Sequence, residues 1–201
     1  NSNGTFTYDP NGQFELLAAG EIATDTFNYT VTDNHGVSST ETVTVTITGS
    51  NDDPVIEVAD LTGGVTELVT PIGSLSDSGT IGFSDVDLSD VHSVSETVAS
   101  GGALGSLTAT VTNGTDNVTG AGGEVTWAYS VDAAAVEYLA VGETKVETFT
   151  FEISDDNGGS VSTTVEITIT GTEDLPVISV GATDSTSELV TETDVPLSVS
   201  G

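Results

Sequence analysis

The sequence has no cysteine, no methionine, no arginine and a single lysine, Lys145, in 201 residues. Without cysteine there are no disulfides and no thiolate metal sites, so stability must come from packing or from ions held by oxygen. With 32 Asp and Glu against that one lysine, the formal net charge is −31, which excludes nucleic acid and anionic membrane surfaces as partners by repulsion. No apolar run is long enough for a membrane span, and no stretch reads as a signal peptide. The missing methionine, at residue 1 included, is what an internal piece of a longer chain would show. His35 and His92 are the only imidazoles, which leaves little for a nucleophile with its base. Carboxylates are plentiful but follow repeated positions instead of gathering in one cleft, so no enzyme is expected. Disorder is excluded by the 36% hydrophobic content, which is arranged in clear alternation.

What is present is a repeat. Thr46-Ile47-Thr48-Gly49-Ser50-Asn51-Asp52-Asp53-Pro54-Val55-Ile56 recurs as Thr168-Ile169-Thr170-Gly171-Thr172-Glu173-Asp174-Leu175-Pro176-Val177-Ile178. An offset of 122 residues superposes these copies and also places Gly20-Glu21 on Gly142-Glu143, Phe27 on Phe149, Asp33 on Asp155 and Gly36 on Gly158. Thr66-Glu67-Leu68-Val69-Thr70 returns as Ser187-Glu188-Leu189-Val190-Thr191 with one residue lost. A period this long suits whole domains in tandem, not a solenoid. The expected division is the C-terminal part of one repeat at 1–50, a complete repeat at 51–171 and the N-terminal strands of a third at 172–201.

Thr26–Thr32 and Thr42–Thr48 alternate β-branched or aromatic residues with Thr and Asn around the turn Asp33-Asn34-His35-Gly36, the pattern of an antiparallel hairpin with one wet face. Within the complete repeat the strands are expected at 55–58, 64–69, 80–84, 91–98, 104–112, 125–130, 147–154 and 161–170. Only 132–139 has helical propensity, enough for a single turn. The fold class is therefore all-β, tandem Ig-like β-sandwiches joined by short acidic linkers. Trp127, Tyr129, Phe149 and Phe151 are its expected aromatic core.

Strand direction then predicts where the acids go. A first strand leaves the linker and the next returns to it, so the strand ending at Phe83 delivers Asp85, Asp87 and Asp90 to the pole entered by Asn51 and Asp52. The strand ending at Ser154 delivers Asp155 and Asp156 to the same pole. Glu21 of the preceding unit faces them, and Glu173, Asp174 and Glu143 repeat the arrangement at the second linker, with Glu67 or Asp77 as further help. Calcium suits such a set, since it takes about six to eight oxygen ligands in tolerant geometry. Zinc and copper want the His and Cys that are nearly absent here. Asp85-x-Asp87-x-Ser89 with Glu96 resembles an EF-hand loop, but Asp90 stands where that loop needs Gly and the flanks are strands. The four Asn-x-Thr sequons, at Asn3, Asn28, Asn113 and Asn117, read as chance in so Thr-rich a chain.

Taken together, Phe83-Ser84-Asp85-Val86-Asp87-Leu88-Ser89-Asp90-Val91-His92-Ser93, the run Thr148-Phe149-Thr150-Phe151-Glu152-Ile153-Ser154-Asp155-Asp156-Asn157-Gly158-Gly159, and Thr168–Ile178 resemble a VCBS repeat, a cadherin-like module found in tandem in giant RTX-type bacterial adhesins. The linker acids resemble the calcium linkers of cadherins. The resemblance implies a secreted, cell-surface-attached extender exported by type I secretion, with calcium between neighbouring repeats. It implies a separate tip for a host or biofilm ligand, and the alternative is a module that itself binds glycan or protein or pairs with other copies in a filament. The loop 113–123 is the best candidate for such a binder.

Overall fold

Two hairpins 122 residues apart share one register. In the computed structural model, which describes residues 5–116 and 118–174, strand β1 (Ile22–Thr32) pairs antiparallel with β2 (Ser38–Thr48) from Ile22↔Thr48 to Thr32↔Ser38. Strand β10 (Thr144–Ser154) pairs with β11 (Ser160–Thr170) from Thr144↔Thr170 to Ser154↔Ser160, the same pattern residue for residue. The equivalence extends to the hydrogen bonds that close each hairpin: Gly20 N–H donates to Gly49 O and Gly49 N–H to Glu21 O, as Gly142 does to Gly171 and Gly171 to Glu143.

The intervening chain supplies β3 (Val55–Ala59), β4 (Thr62–Thr66), β5 (Ser74–Ser84), the short β6 (Ser93–Val94) and β7 (Val98–Ala99), β8 (Ser106–Asn113) and β9 (Gly123–Asp132). A 3₁₀ turn at Ala133–Ala135, capped by Asp132, is all that forms in the stretch with helical propensity. One sheet runs β4-β11-β10-β6, with β7 also on β10; the other runs β3-β5-β9-β8. Together with β10 and β11 these strands make the Ig-like β-sandwich expected from the alternation. All four expected core aromatics are buried between the sheets beside Phe83, Ile81, Ile153 and Ile167. Of the expected third repeat at 172–201, residues 175–201, like Asn117, lie outside the described residues.

Three expectations about strands need correction. β4 is parallel to β11, so β3 and β4 run the same way, as one strand that crosses from sheet to sheet, and β5 is the strand that returns. β5 also begins at Ser74 rather than Thr80. The sequence hides its first half because Asp77 and Gly79 stand at inward positions. Asp77 is held there by the amide of Gly64, 2.7 Å from its Oδ2. Gly79 is required there because a Cβ would overlap the Trp127 ring. The expected strand at 91–98 is the broken pair β6 and β7.

Candidate metal centre

The sandwich brings three loops and a linker to one pole. β5 ends at Ser84 opposite Val55, the first residue of β3, so the loop 85–92 starts beside the linker. β10 ends at Ser154 opposite Ser93 of β6, which sets the loop 155–159 against the same loop. Oxygens of Asp85, Asp90 and Asp155 lie within 4.8 Å of one another, and Asp85, Asp87 and Asp155 are buried. The linker enters through two bonds: Asn51 Nδ2 donates to Asp155 Oδ2 at 2.8 Å, and the Asp52 amide to Asp87 Oδ2 at 2.8 Å. Asp53 reaches the same spot, since a Cβ on Gly159 would overlap both its carboxylate and that of Asp155.

Each carboxylate is held by its own local geometry. Asp155 Oδ1 accepts the amides of Asn157, Gly158 and Gly159, as Asp33 Oδ1 accepts those of His35 and Val37 one repeat earlier. Burial alone would raise the Asp155 pKa, but those amides and Asn51 outweigh it and hold the group below its ordinary value. Asp87 and Asp90 go the other way. Burial pushes both up, repulsion from neighbouring carboxylates adds to it, and the single hydrogen bond each receives, from Asp52 and Asn157 respectively, does not compensate. His92 Nε2 lies 2.9 Å from Asp85 Oδ2, with the ring tilted against Phe83.

Three buried oxygens of this pole have no hydrogen-bond partner: Asn51 Oδ1, Asp87 Oδ1 and Asp90 Oδ2. An orphaned buried acceptor is costly, and three of them among mutually repelling carboxylates is the arrangement a hard cation satisfies. The donors are carboxylate and amide oxygens, so the residues fit calcium.

A second cluster occupies the opposite pole. Oxygens of Glu67, Glu137 and Asp174 lie within 4.8 Å of one another. Glu67 is buried just past β4, and the Thr172 amide donates to its Oε2 at 2.8 Å. Glu67 Oε1 and Glu137 Oε1 are again orphaned. Burial and then the charges of Asp174 and Glu67 raise the Glu137 pKa.

Of the expected site residues, the structure gathers Asn51, Asp52, Asp85, Asp87, Asp90 and Asp155 at the first pole and Asp174 at the second. Four are placed elsewhere. Asp156 adopts a positive φ of 64°, which turns its side chain out to Ser93. Glu21 and Glu143 cap their own turns, accepting the amides of Ala18 and Ala140. Glu173 is exposed beside the cluster that takes Asp174. Of the two suggested helpers, Glu67 joins the second cluster, whereas Asp77 is engaged by Gly64. Reading the sequence missed Glu137 and its equivalent Glu15, although the offset of 122 aligns Glu15-Leu16-Leu17-Ala18 with Glu137-Tyr138-Leu139-Ala140. The same offset places Asp174 on Asp52, and Glu15 and Asp52 line one shallow depression at the end of the first hairpin.

Residues 1–49 match the family of the bacterial cadherin-like domain. Through the shared register, the matched hairpin is the counterpart of β10 and β11 in the complete β-sandwich. No curated protein sequence matches the chain. Among solved structures, the N-terminal domain of PorA is similar at 16% identity and a TM-score of 0.36, over 59% of this chain and 97% of that one. Mouse clustered PcdhgC3 EC1-3 is similar at 17% identity and a TM-score of 0.40, over 78% of this chain and 44% of that one. Zebrafish RET cadherin-like domains 1 to 4 are similar at 10% identity and a TM-score of 0.34, over 78% and 34%. No helix among the described residues is long and apolar enough to cross a membrane.

Proposed function

We propose that the chain is part of a calcium-stiffened spacer of a secreted, surface-attached bacterial adhesin, a structural and non-enzymatic role. The observation that carries this reading is the set of orphaned oxygens on Asn51, Asp87 and Asp90 around the carboxylates of Asp85 and Asp155. Asn51 and Asp52 belong to the linker, while the other acids belong to the sandwich that follows. A cation bound among them, with Glu15 contributing from the unit before, ties linker and both units to one centre. Glu67, Glu137 and Asp174 would hold the next junction in the same way. Calcium supplies the positive charge that these oxygens lack, and the hinge becomes a strut.

The repeat favours a spacer over a ligand-binding module, because identical units multiply reach, whereas a binding site need occur only once. The loop 113–123, the best sequence candidate for a binder, instead lies against the metal pole: the Asp85 amide donates to Gly120 O at 2.8 Å. Small-angle scattering with calcium and with chelator tests the reading. The expected result is an extended rigid rod in calcium and a shorter, flexible particle without it; superposable profiles would reject the stiffening.

A further inference from the structure

The loop 85–92 leaves β5 at Ser84, enters β6 at Ser93 and carries three carboxylates of the first pole, Asp85, Asp87 and Asp90. Its first and last residues are joined. His92 Nε2 lies 2.9 Å from Asp85 Oδ2, and the two side chains are only 1% and 0% exposed. A carboxylate oxygen accepts, so Nε2 carries the hydrogen and donates it. The other oxygen, Asp85 Oδ1, accepts the Asp87 amide at 3.0 Å. Asp85 is thus held at both oxygens from within its own loop, and the bond to His92 closes that loop into a ring.

Packing alone does not account for an imidazole here. The ring lies against Phe83 with centroids 4.9 Å apart, a contact that an apolar side chain would make as well. Nδ1 is buried without a hydrogen-bond partner, which costs free energy. The bond to Asp85 is the polar contact that offsets this cost. His92 is not a ligand in its own right, since the atoms that lie within 4.8 Å of one another are oxygens of Asp85, Asp90 and Asp155. Asp87 and Asp90 are held differently. Each has one oxygen bonded from outside the loop, by the Asp52 amide and by Asn157 Nδ2, and the other oxygen orphaned. Asp85 is the fixed point of the loop.

We propose that His92 is the positioning residue of the first pole and sets its preference for calcium over magnesium, an inference that rests on the metal reading given above. Magnesium demands oxygens at about 2.0–2.1 Å in near-ideal octahedral geometry, whereas calcium takes about 2.3–2.6 Å and tolerates irregular geometry. A cage contracts onto the smaller ion only if its carboxylates can swing inward. With Oδ2 tied to His92 and Oδ1 to the Asp87 amide, the Asp85 carboxylate cannot follow, and its free lone pairs stay where the closed loop puts them. Cutting the bond to His92 frees Asp85 to turn. Calcium then loses a preset ligand and magnesium gains an adaptable one.

Calcium and magnesium titrations of the full chain, followed by amide NMR, test this, because each pole has its own reporters. The amides of Asp52 and Gly159 are bonded to Asp87 and Asp155 of the first pole, and that of Thr172 to Glu67 of the second. His92→Phe keeps a ring beside Phe83 and removes the donor, while His92→Gln keeps a donor at similar reach. In His92→Phe, first-pole calcium affinity should fall about tenfold, the usual scale for losing a partner that orients a metal ligand. Magnesium affinity should hold or rise, so the preference for calcium falls at least as far. His92→Gln should keep most of that preference, and Thr172 should respond alike in all three chains. Unchanged preference in His92→Phe, or its loss in a folded His92→Gln, would overturn the role of His92 and leave the pole a metal site. First-pole amides that ignore calcium in the unaltered chain would remove the metal reading itself, and this inference with it.

Discussion

The backbone amide of Asp52 donates to Oδ2 of Asp87, 35 residues later, at 2.8 Å. This bond takes one oxygen of a fully buried carboxylate and leaves the other, Oδ1, with nothing. The linker is thus already seated on the sandwich through its main chain. Linker and acidic pole are one structure.

Replacing Asp85 and Asp87 together with Asn keeps shape and removes two negative charges from the first pole. Calcium affinity there should fall by about 100-fold, since ligand charge sets affinity in oxygen sites. Isothermal titration against the unaltered chain measures it, and undiminished affinity would remove these two residues from the ligand set.

Glu137→Gln should act in opposite directions with and without the ion. In chelator, Glu137 is an orphaned carboxylate raised by burial and by Asp174 and Glu67, so the neutral amide relieves repulsion and the melting temperature rises. In calcium, the variant should lose most of the calcium-induced increase in melting temperature that the unaltered chain gains. Calorimetry in both conditions checks the pair of signs.

Gly120→Ala should weaken the first pole from outside it. Gly120 has a φ of 69°, and a Cβ there would collide with the Asp85 carbonyl. The loop must move, and Asp85, whose amide it holds, moves with it. Calcium affinity falls while Glu137→Gln and Gly120→Ala combine additively, because they sit at opposite poles.

Tyr129 predicts the alkaline limit. Its hydroxyl donates to Glu147 Oε2 at 2.9 Å in the core, and Glu147 also accepts the amides of Leu104 and Gly105. Burial, then this bond to a carboxylate, raises the phenol well above its ordinary value near 10. A folded pKa above the unfolded one means that the contribution is complete below about pH 10 and is lost as pH climbs toward the folded value. Urea unfolding between pH 8 and 11 should show stability level and then falling, with a slope approaching about 1.4 kcal/mol per pH unit from this group. Tyr129→Phe should flatten that slope and, by leaving Glu147 short of a donor, lower stability at pH 8 by about 1–3 kcal/mol.

How much of this was legible beforehand depends on range. Alternation in Thr26–Thr32, Phe149–Ile153 and Val161–Ile169 made both hairpins, their turns and the aromatic core readable, because burial on one face of a strand is written every second residue. The convergence of Asp85, Asp87 and Asp155 was expected from strand direction, but it is reached by another route, because β3 and β4 run as one strand and β5 is the one that returns. Glu137 was overlooked as part of a helical-looking turn, and the first half of β5 was hidden by Asp77 and Gly79, whose inward placement answers to Gly64 and Trp127 from other strands.

The amino-acid order by itself determined the all-β class, the 122-residue period and the acidity of the linkers, since each is a local or periodic property of the chain. Only the tertiary structure decided which acids meet. Asp156 is lost to a left-handed backbone, Glu21 and Glu143 to their own turns, and Glu67 and Glu137 are joined because β3 and β4 run as one strand across two sheets. Membership of a metal pole is a matter of ångströms between loops far apart in the chain, and that distance is set by packing.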